Sequence, residues 1–479
     1  MKRLLLIFLL LLQAAFAQDV EFDLTQAGRP FPHVWEQTFG SGRAILTLRD
    51  SWRQDARAVH AITGFKYVRF HAIFHDEVGL CRPDGYNFTY IDQIYDGLLQ
   101  NGLKPYVELG FMPKALASQP PVYHAFWYQQ ITSPPADYGK WDAMIGAFAR
   151  HLVDRYGIDE VARWPFEVWN EPNIDFWAGD PKEATYYELY DHTARALKRV
   201  SPRLQVGGPA TAQAAWVDRF IAHCVSQDVP VDFISTHVYA NDTAHDVFGT
   251  DEHIDREHMV ARAVAKVHDQ IAASARPHLP LVFSEFNASY ANEVDVTDSP
   301  YMGPWLASTI AQVDGLVNVM AYWCVSDVFE EQGIARRPFY GGFGLLAPGG
   351  IPKSSFNAFA LLHKLGDRRL PCRAGLLTRT RTGYAAALWN YTAPDEGGAD
   401  KIFHVHVKGA ALHHARLWRV DETHGNALAA WVAMGRPDFP TRPQQAALRS
   451  AGALSPPQNL ELPLEVRVPA HGLVLIELY

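Results

Sequence analysis

Eight short apolar runs, separated by segments with helical spacing, constrain the fold of this chain more than any other feature. The runs are rich in β-branched and aromatic residues, as strands are. The segments between them place apolar residues three and four positions apart, as amphipathic helices do. Eight repeated strand and helix units predict a closed (β/α)8 TIM barrel. The expected strands lie at 38–44, 67–73, 105–110, 166–170, 205–209, 233–239, 281–287 and 317–324.

The segments with helical spacing are long enough to cover the outside of such a barrel. The clearest of them are 52–62, 140–156, 182–200, 256–273 and 301–313.

The pattern changes near residue 371 to short runs of alternating apolar and polar residues. These runs predict an accessory all-β sandwich, to which the early run 20–24 adds a further strand. Proline-bearing segments at 436–443 and 455–457 are interpreted as loops. The sandwich strands are expected at 385–390, 402–407, 415–420 and 473–478.

The chain of 479 residues exceeds what one hydrophobic core usually supports, so we expect two domains. The pattern divides the chain into four parts. These are a signal peptide at 1–17, a segment at 18–35 that adds a strand to the sandwich, the barrel at 36–365, and the sandwich at 366–479.

The N-terminus has the pattern of an export signal. Basic residues at 2–3, an apolar run at 4–12 and small residues at 15–17 are typical of a signal peptide cleaved near Ala17/Gln18. An uncleaved N-terminal anchor is the alternative. No later segment has the roughly 20 apolar residues that a membrane helix requires. We therefore expect a secreted or periplasmic protein that has no membrane contact after cleavage.

The charge and the cysteines exclude several classes of partner and site. The formal charge is −9, and positive and negative residues are evenly mixed. Nucleic acids and anionic membranes are disfavoured, because both bind clustered Lys and Arg. The four cysteines form no CxxC pair, which excludes a cysteine zinc site, and we expect free thiols, although one disulfide stays open. Nothing in the pattern indicates an oligomeric state.

Two glutamates at strand ends are the candidate catalytic residues. Active sites of barrels form at the C-terminal ends of the strands. Glu171 follows the fourth predicted strand, where Pro172 ends the ladder, and Glu285 lies near the end of the seventh. A buried strand tolerates an unpaired carboxylate only at a cost of several kcal/mol, so such acids are usually functional. A structural ion pair is the alternative.

Two carboxyls at one barrel mouth are suited to glycoside hydrolysis, in which one protonates the leaving oxygen and the other attacks the anomeric carbon. The pair predicts a glycosidase with Glu171 as its acid, which inverts if the two carboxyls leave roughly 6.5 to 9.5 Å for a water. Retaining enzymes hold these carboxyls roughly 5 to 5.5 Å apart. Glu171 needs a raised pKa to be protonated near neutral pH, which apolar surroundings and the charge of Glu285 supply.

Seven motifs are spread over nearly the whole mature chain. They are WNEPN at 169–173, SEFNASY at 284–290, VELGFMP at 107–113, GSGRA at 40–44, YVRFH at 67–71, STHVY at 235–239 and VDETHGNA at 420–427. Together they resemble glycoside hydrolase family 39, which belongs to the retaining clan. The resemblance implies a retaining enzyme with Glu171 as acid/base and Glu285 as nucleophile.

The resemblance implies further substrate-binding residues around the two glutamates. Asn170 is expected to bind the sugar 2-OH, and His237 and Tyr239 to hold Glu285 and the sugar. Trp323 would offer an apolar face to the sugar ring. The other expected substrate-binding residues are His71, Tyr290, Glu330 and Glu331.

Five of these residues also have a structural interpretation. His71, His237 and Tyr239 are also explained as core residues with satisfied hydrogen bonds, Trp323 as core filling, and Glu331 as a solvated loop acid.

The sequence indicates no cofactor and no catalytic metal. The segment HIDREH at 253–258 lacks the HExxH order of a zinc protease, and the His pairs 404/406 and 413/414 are isolated. Gly40-Ser41-Gly42 lacks the third glycine of a dinucleotide fingerprint.

The resemblance implies a β-xylosidase that acts on xylo-oligosaccharides, since the amino-acid sequences of the motifs are closer to the β-xylosidase branch of the family. An α-L-iduronidase is an alternative, for which Arg43 and Arg69 are candidate partners of the substrate carboxylate. An α-L-arabinofuranosidase-type activity is a second enzymatic alternative. A non-catalytic carbohydrate-binding protein is the alternative from another class. The choice between exo and endo attack stays open.

Overall fold

The computed structural model describes residues 16–479, which form a barrel followed by a two-sheet β domain. The predicted signal peptide lies outside the described residues except for its last two positions, with which the first strand begins. In the described part, no helix is long and apolar enough to cross a membrane.

Twelve strands lie between residues 16 and 322, and eight of them build the barrel. In chain order they are β1 (Phe16–Asp23), β2 (Arg29–Pro30), β3 (Thr38–Arg43), β4 (Tyr67–His71), β5 (Cys81–Arg82), β6 (Gly85–Tyr86), β7 (Lys104–Leu109), β8 (Pro165–Val168), β9 (Gln205–Thr211), β10 (Phe233–Tyr239), β11 (Leu281–Asn287) and β12 (Val319–Tyr322).

The predicted (β/α)8 barrel is confirmed. Eight parallel strands close in the order β3-β4-β7-β8-β9-β10-β11-β12, and Tyr322 of β12 pairs with Phe39 of β3. Every residue of β10 and β11 is buried, as in a parallel sheet that is covered on both faces. The short hairpin β5–β6 lies outside the barrel.

The helices pack around the barrel through the apolar stripes that their spacing predicts. On α5, for example, Tyr186, Leu189, Tyr190 and Leu197 are buried. The helices are α1 (Asp50–Thr63), α2 (Thr89–Gln100), α3 (Tyr138–Tyr156), α4 (Ile158–Val161), α5 (Lys182–Val200), α6 (Val217–Ser226), α7 (Ala244–Phe248), α8 (Met259–Ala272), α9 (Val294–Thr297), α10 (Met302–Val313), α11 (Ser354–Leu362), α12 (Ala427–Ala433) and α13 (Arg442–Gly452).

The C-terminal region forms two β-sheets around a separate apolar core. One has the order β1-β18-β21, in which β1 runs parallel to β18, and the other has the order β2-β15-β16-β17-β22-β19-β20. Val20, Phe22 and Val405 from the first sheet pack with Leu388 and Ile476 from the second. Before this region, β13 (Leu346–Ala347) and β14 (Ile351–Pro352) form a separate two-stranded sheet. The strands of the C-terminal region are β15 (Arg368–Leu370), β16 (Leu376–Arg379), β17 (Tyr384–Asn390), β18 (Lys401–Lys408), β19 (His414–Val420), β20 (Gln458–Glu461), β21 (Leu464–Val468) and β22 (Gly472–Leu478).

Two helices interrupt this β region, which differs from the expectation of an all-β sandwich. The predicted proline loop at 436–443 ends inside α13, because a proline fits the first turn of a helix, where its missing N–H has no partner to lose. Thr441 and Gln444 form a capping box at that helix start. Trp431 of α12 packs with Phe339 and Ile351, so the helices cover the barrel.

Candidate active site

The barrel strands bring both predicted glutamates to one cavity of about 610 Å³. Glu171 reaches it from the turn after β8, and Glu285 from the C-terminal half of β11. The other predicted site residues that line the cavity are His71, Asn170, Tyr239, Tyr290, Trp323 and Glu331.

The backbone around Glu171 is held in an unusual conformation. Trp169 has φ 70° and Glu171 has φ 45°, both in the left-handed region that costs a non-glycine residue on the order of 1–3 kcal/mol. The Glu171 N–H donates to the Ala210 carbonyl at 2.8 Å, and the Trp169 indole donates to the Phe176 carbonyl at 2.8 Å. These bonds hold the Glu171 side chain over the cavity, at the end of the strand.

Glu285 accepts strong hydrogen bonds on both of its oxygens. The Arg69 guanidinium donates to Oε1 at 2.5 Å, and the Tyr239 hydroxyl donates to Oε2 at 2.7 Å. Nε2 of His71 lies 3.8 Å from Oε1. Charge-assisted bonds of this kind stabilise a carboxylate in its ionised form.

Arg69 is the centre of a fully buried charge network beneath the cavity. Besides Glu285, it contacts Glu167 at 2.5 Å and Glu108 at 3.0 Å. It also donates to the side-chain oxygen of Asn170 at 2.8 Å, which leaves the amide N–H groups of Asn170 for a ligand. Arg69 is therefore occupied by protein groups.

His237 lies closer to Glu171 than to Glu285. Its Nδ1 is 2.9 Å from Glu171 Oε1 and 3.7 Å from Glu285 Oε1, and its Nε2 is 3.1 Å from the Ser284 hydroxyl. These contacts differ from the expectation that His237 holds mainly Glu285 and the sugar. Burial and the nearby Arg69 lower the pKa of His237 well below its usual value, so the ring is neutral.

Glu171 and Glu331 both have environments that favour the protonated form. Burial, followed by the negative charges of Glu285 and Asp242, raises the pKa of Glu171 well above its usual value. Burial and the charges of Glu285 and Glu108 do the same to the pKa of Glu331. Glu331 is 7% exposed, and no group of the described chain hydrogen-bonds its carboxyl. The cavity therefore contains an unsatisfied hydrogen-bonding group.

Trp323 and His71 form an aromatic wall of the cavity. Their ring centroids are 4.7 Å apart, and Trp323 is 3% exposed. The ring of Trp323 crosses the backbone of Gly40 so closely that a Cβ atom there would lie 2.2 Å from Trp323 Cε3. The glycine of the GSGRA motif thus makes room for Trp323.

Two predicted site residues differ in position from the rest. Glu330 does not line the cavity, because its carboxylate is paired with Arg43 at 3.1 Å and with Arg49. Tyr290 lies at the rim and is 56% exposed, with its ring edge-on to Tyr239.

Sequence reasoning missed several residues that line the cavity. His124 and Phe126 come from the long irregular segment between β7 and α3, which has no periodic pattern to analyse. Phe176 stacks on His124 with centroids 4.2 Å apart. Asp242 and Phe343 also line the cavity. Glu108 had the same signal as the two predicted glutamates, an acid in an apolar strand, yet it supports Arg69 and His71.

Two groups of potential metal ligands occur within residues 16–479. One consists of Glu171, His237 and Glu285, and the other of His33, Glu36 and His363, with the ligand atoms of each group within 4.8 Å of one another. In the second group both rings bond to Glu36, at 2.6 and 3.0 Å. These are ordinary hydrogen-bond distances.

Known proteins resemble this chain over almost its whole length. A β-xylosidase from Geobacillus stearothermophilus is 38% identical, covering 88% of this chain and 86% of its own. A β-xylosidase from Caldicellulosiruptor saccharolyticus is 35% identical, covering 92% of this chain and 94% of its own. The solved structure of a monomeric β-xylosidase from Caulobacter crescentus superimposes with a TM-score of 0.87 at 36% identity, covering 96% of this chain and 99% of that one.

The family model described as glycosyl hydrolases family 39 matches residues 18–464. The resemblance of the motifs is thus confirmed by a match that includes both the barrel and most of the β domain. The chain belongs to glycoside hydrolase family 39 and is a glycosidase that hydrolyses O-glycosyl bonds.

Proposed function

We propose that this protein is a retaining β-xylosidase that removes xylose from the end of xylo-oligosaccharides. The observation that carries the proposal is the pairing of Glu171 and Glu285 across one cavity. One oxygen of each, together with His237 Nδ1, lies within 4.8 Å of the others. This separation favours direct attack by a carboxylate over attack by an intervening water, for which inverting enzymes leave roughly 6.5 to 9.5 Å.

The surroundings of the two carboxyls support different roles. Glu285 receives hydrogen bonds from Arg69 and Tyr239, so it is the ionised nucleophile that attacks the anomeric carbon. Glu171 has the raised pKa of a general acid and donates its proton to the leaving oxygen. Formation of the glycosyl ester removes the charge of Glu285. The pKa of Glu171 then falls, and Glu171 acts as base on the incoming water.

Neutral sugars fit the charge of the cavity better than uronic acids do. Glu171, Asp242, Glu285 and Glu331 line it, and an anionic substrate would be repelled by the Glu285 carboxylate and would further raise the pKa of the other three carboxyls. Lys182 also lines the cavity, but its Nζ donates to the Ile174 carbonyl. Of the cationic candidates, Arg69 is bonded to three carboxylates and Arg43 is paired with Glu77 and Glu330. An iduronate carboxylate would lack the arginine that it needs. This arrangement favours a xyloside over an iduronide.

The contacts available to a sugar are a set of polar groups beside one apolar wall. The amide of Asn170 would donate to the 2-OH, and Glu331 would bond to hydroxyls on the far side of the ring. Trp323 would pack against the apolar face of the sugar. A cavity of about 610 Å³ holds a terminal sugar with its leaving group rather than a long chain, which supports exo attack.

We also propose how the N-terminus of the chain is used and where the two domains begin and end. Residues 1–17 act as a signal peptide that directs the protein out of the cytoplasm. Residues 36–365 form the catalytic domain. Residues 18–35 and 366–479 form the β-sandwich domain, whose shared apolar core supports this division.

A panel of aryl glycosides tests the function. We expect turnover of aryl β-xyloside with β-xylose as the first product, detected by NMR before mutarotation. The panel also contains aryl α-L-iduronide and aryl α-L-arabinofuranoside, and the control is Glu285→Gln, which should be inactive. First release of α-xylose would disprove retention, preferred turnover of another glycoside would correct the substrate, and xylose binding without turnover would indicate a non-catalytic binding protein.

A further inference from the structure

The segment that follows β12 reaches the cavity three times. It contributes Trp323 first, then Glu331, and Phe343 twelve residues after Glu331, and all three side chains line the cavity. Phe343 is 3% exposed and packs edge-on against Phe329, which in turn packs edge-on against Trp323. Phe343 therefore extends the aromatic wall that Trp323 begins.

A fully buried ion cluster lies behind this segment. Nζ of Lys353 is 2.6 Å from Asp298 Oδ1 and 2.9 Å from Asp327 Oδ2, and all three side chains are 0% exposed. Asp298 follows β11, Asp327 follows β12, and Lys353 precedes α11. The cluster thus joins the segment after the Glu285 strand to the segment that carries Glu331.

Each charged group of the cluster also bonds to the backbone beside Phe343. The Gly341 N–H donates to Asp298 at 2.6 Å, and the Gly344 N–H donates to Asp327 at 2.7 Å. Lys353 donates to the Gly342 carbonyl at 2.7 Å. All three charged side chains therefore contact the four-residue segment that contains Phe343.

The glycines of this segment allow the backbone to lie directly on the cluster. A Cβ atom at Gly342 would lie 2.4 Å from Asp327 Oδ1, and one at Gly344 would lie 2.3 Å from the Asp327 backbone nitrogen. Gly341 has φ 79°, and a Cβ there would meet the backbone of Asn292 at 2.3 Å. Phe343 is thus the one side chain of residues 341–344, and it points into the cavity.

We infer that Asp298, Asp327 and Lys353 are positioning residues for substrate binding, which hold residues 341–344 so that Phe343 completes the aromatic wall of the sugar site. Removal of the Lys353 charge would leave two carboxylates uncompensated in a buried site, whereas removal of one carboxylate charge takes away one of the two ion pairs that hold Lys353 in place. The inference rests on the proposed function, because it assigns the cavity to a sugar.

Asp298→Asn is the mildest test, since the amide oxygen still accepts from the Gly341 N–H while the charge is lost. We expect KM for aryl β-xyloside to rise about tenfold, with kcat changed less than about threefold, because the two catalytic glutamates keep their partners. Phe343→Ala, which leaves the cluster intact, should raise KM in the same way. Lys353→Met should have the larger effect if it folds.

The matched control is Asp314→Asn. Asp314 is also a buried acid, 3% exposed, ion-paired with Arg369 at 2.7 Å and with Arg29, and it does not line the cavity. It should lower the melting temperature without changing KM.

Hydrogen exchange of the amides at 341–344 provides a readout that needs no turnover. Asp298→Asn should accelerate this exchange, and Asp314→Asn should not. An Asp298→Asn protein with wild-type exchange at 341–344, or with altered exchange but unchanged KM on a substrate the wild type hydrolyses, would overturn the positioning role. A wild type that hydrolyses no xyloside would instead refute the proposed function, while the exchange data would still decide whether the cluster holds residues 341–344.

Discussion

His237 Nδ1 lies 2.9 Å from Glu171 Oε1, which places a neutral imidazole beside the candidate acid. In the Nδ1–H tautomer of His237, the Ser284 hydroxyl donates to Nε2 and the Nδ1–H donates to Glu171 Oε1. In this tautomer the proton of Glu171 resides on Oε2, the oxygen left for the leaving group. The arrangement leads to four predictions about the site and its supports.

The first prediction concerns the acid/base. Glu171→Ala should retain glycosylation by aryl xylosides with good leaving groups, because a phenolate departs with little protonation, and should lose about 10²- to 10⁴-fold on substrates with poor leaving groups. Azide should restore deglycosylation and yield a β-xylosyl azide. NMR of the product gives its stereochemistry. Equal losses on good and poor leaving groups would contradict the assignment.

The second prediction concerns the nucleophile. Glu285→Ala should lose retaining turnover on every leaving group, because no carboxylate remains to attack the anomeric carbon. Azide should enter the vacated space and attack once, which gives the α-xylosyl azide. An unchanged circular dichroism spectrum controls for folding. If this variant produced the β-azide and Glu171→Ala the α-azide, the two roles would have to be exchanged.

The third prediction concerns pH dependence. Glu171 is expected to act in its acid form. We therefore expect kcat/KM to have its full value while the pH lies below the pKa of Glu171, and to fall as the pH rises through that pKa. The charge of Asp242 contributes to the raised pKa of Glu171. Asp242→Asn keeps an acceptor for the Tyr239 N–H but removes that charge, so the alkaline limb of kcat/KM should move to lower pH. Asp218→Asn, an exposed acid outside the cavity, is the control. A limb that moves upward, or stays fixed, would refute this coupling.

The fourth prediction concerns the close contact of Gly40 with Trp323. In Gly40→Ala the new methyl overlaps the indole, so Trp323 must move, the protein should lose about 1–3 kcal/mol of stability, and kcat/KM for xylosides should fall. Gly397→Ala is the matched control, since a Cβ there meets nothing within 4 Å. Thermal melting and xyloside kinetics measure both effects. Wild-type kinetics in Gly40→Ala would show that the position of Trp323 is not critical.

Strands β10 and β11 could be predicted to the residue, because both runs are rich in β-branched and aromatic residues, which favour strands. Helix α5 was predicted with its bounds for the related reason that its buried side chains repeat with the helical period. Helices α12 and α13 were not predicted, because they are short and their apolar positions face the barrel, which the local sequence does not show.

Some residues of the candidate site could likewise be identified from the sequence, and others could not. Glu171 and Glu285 were identifiable because each is an acid at the end of an apolar strand, and Trp323 because it follows a strand. Glu330 was placed with Glu331 because the two are adjacent in sequence, but the chain turns between them and Glu330 pairs with Arg43 and Arg49.

The sequence by itself determined the barrel and the family and identified the two candidate glutamates, since strand periodicity and strand-end acids are local properties of the chain. Only the tertiary structure decided the different surroundings of these two carboxyls. That difference arises because barrel closure brings Arg69 and Tyr239 to Glu285, while it leaves Glu171 beside a neutral His237 in a buried site where nearby acids raise its pKa. These partners lie 46 to 216 positions apart in the chain, so they have no signature in local sequence.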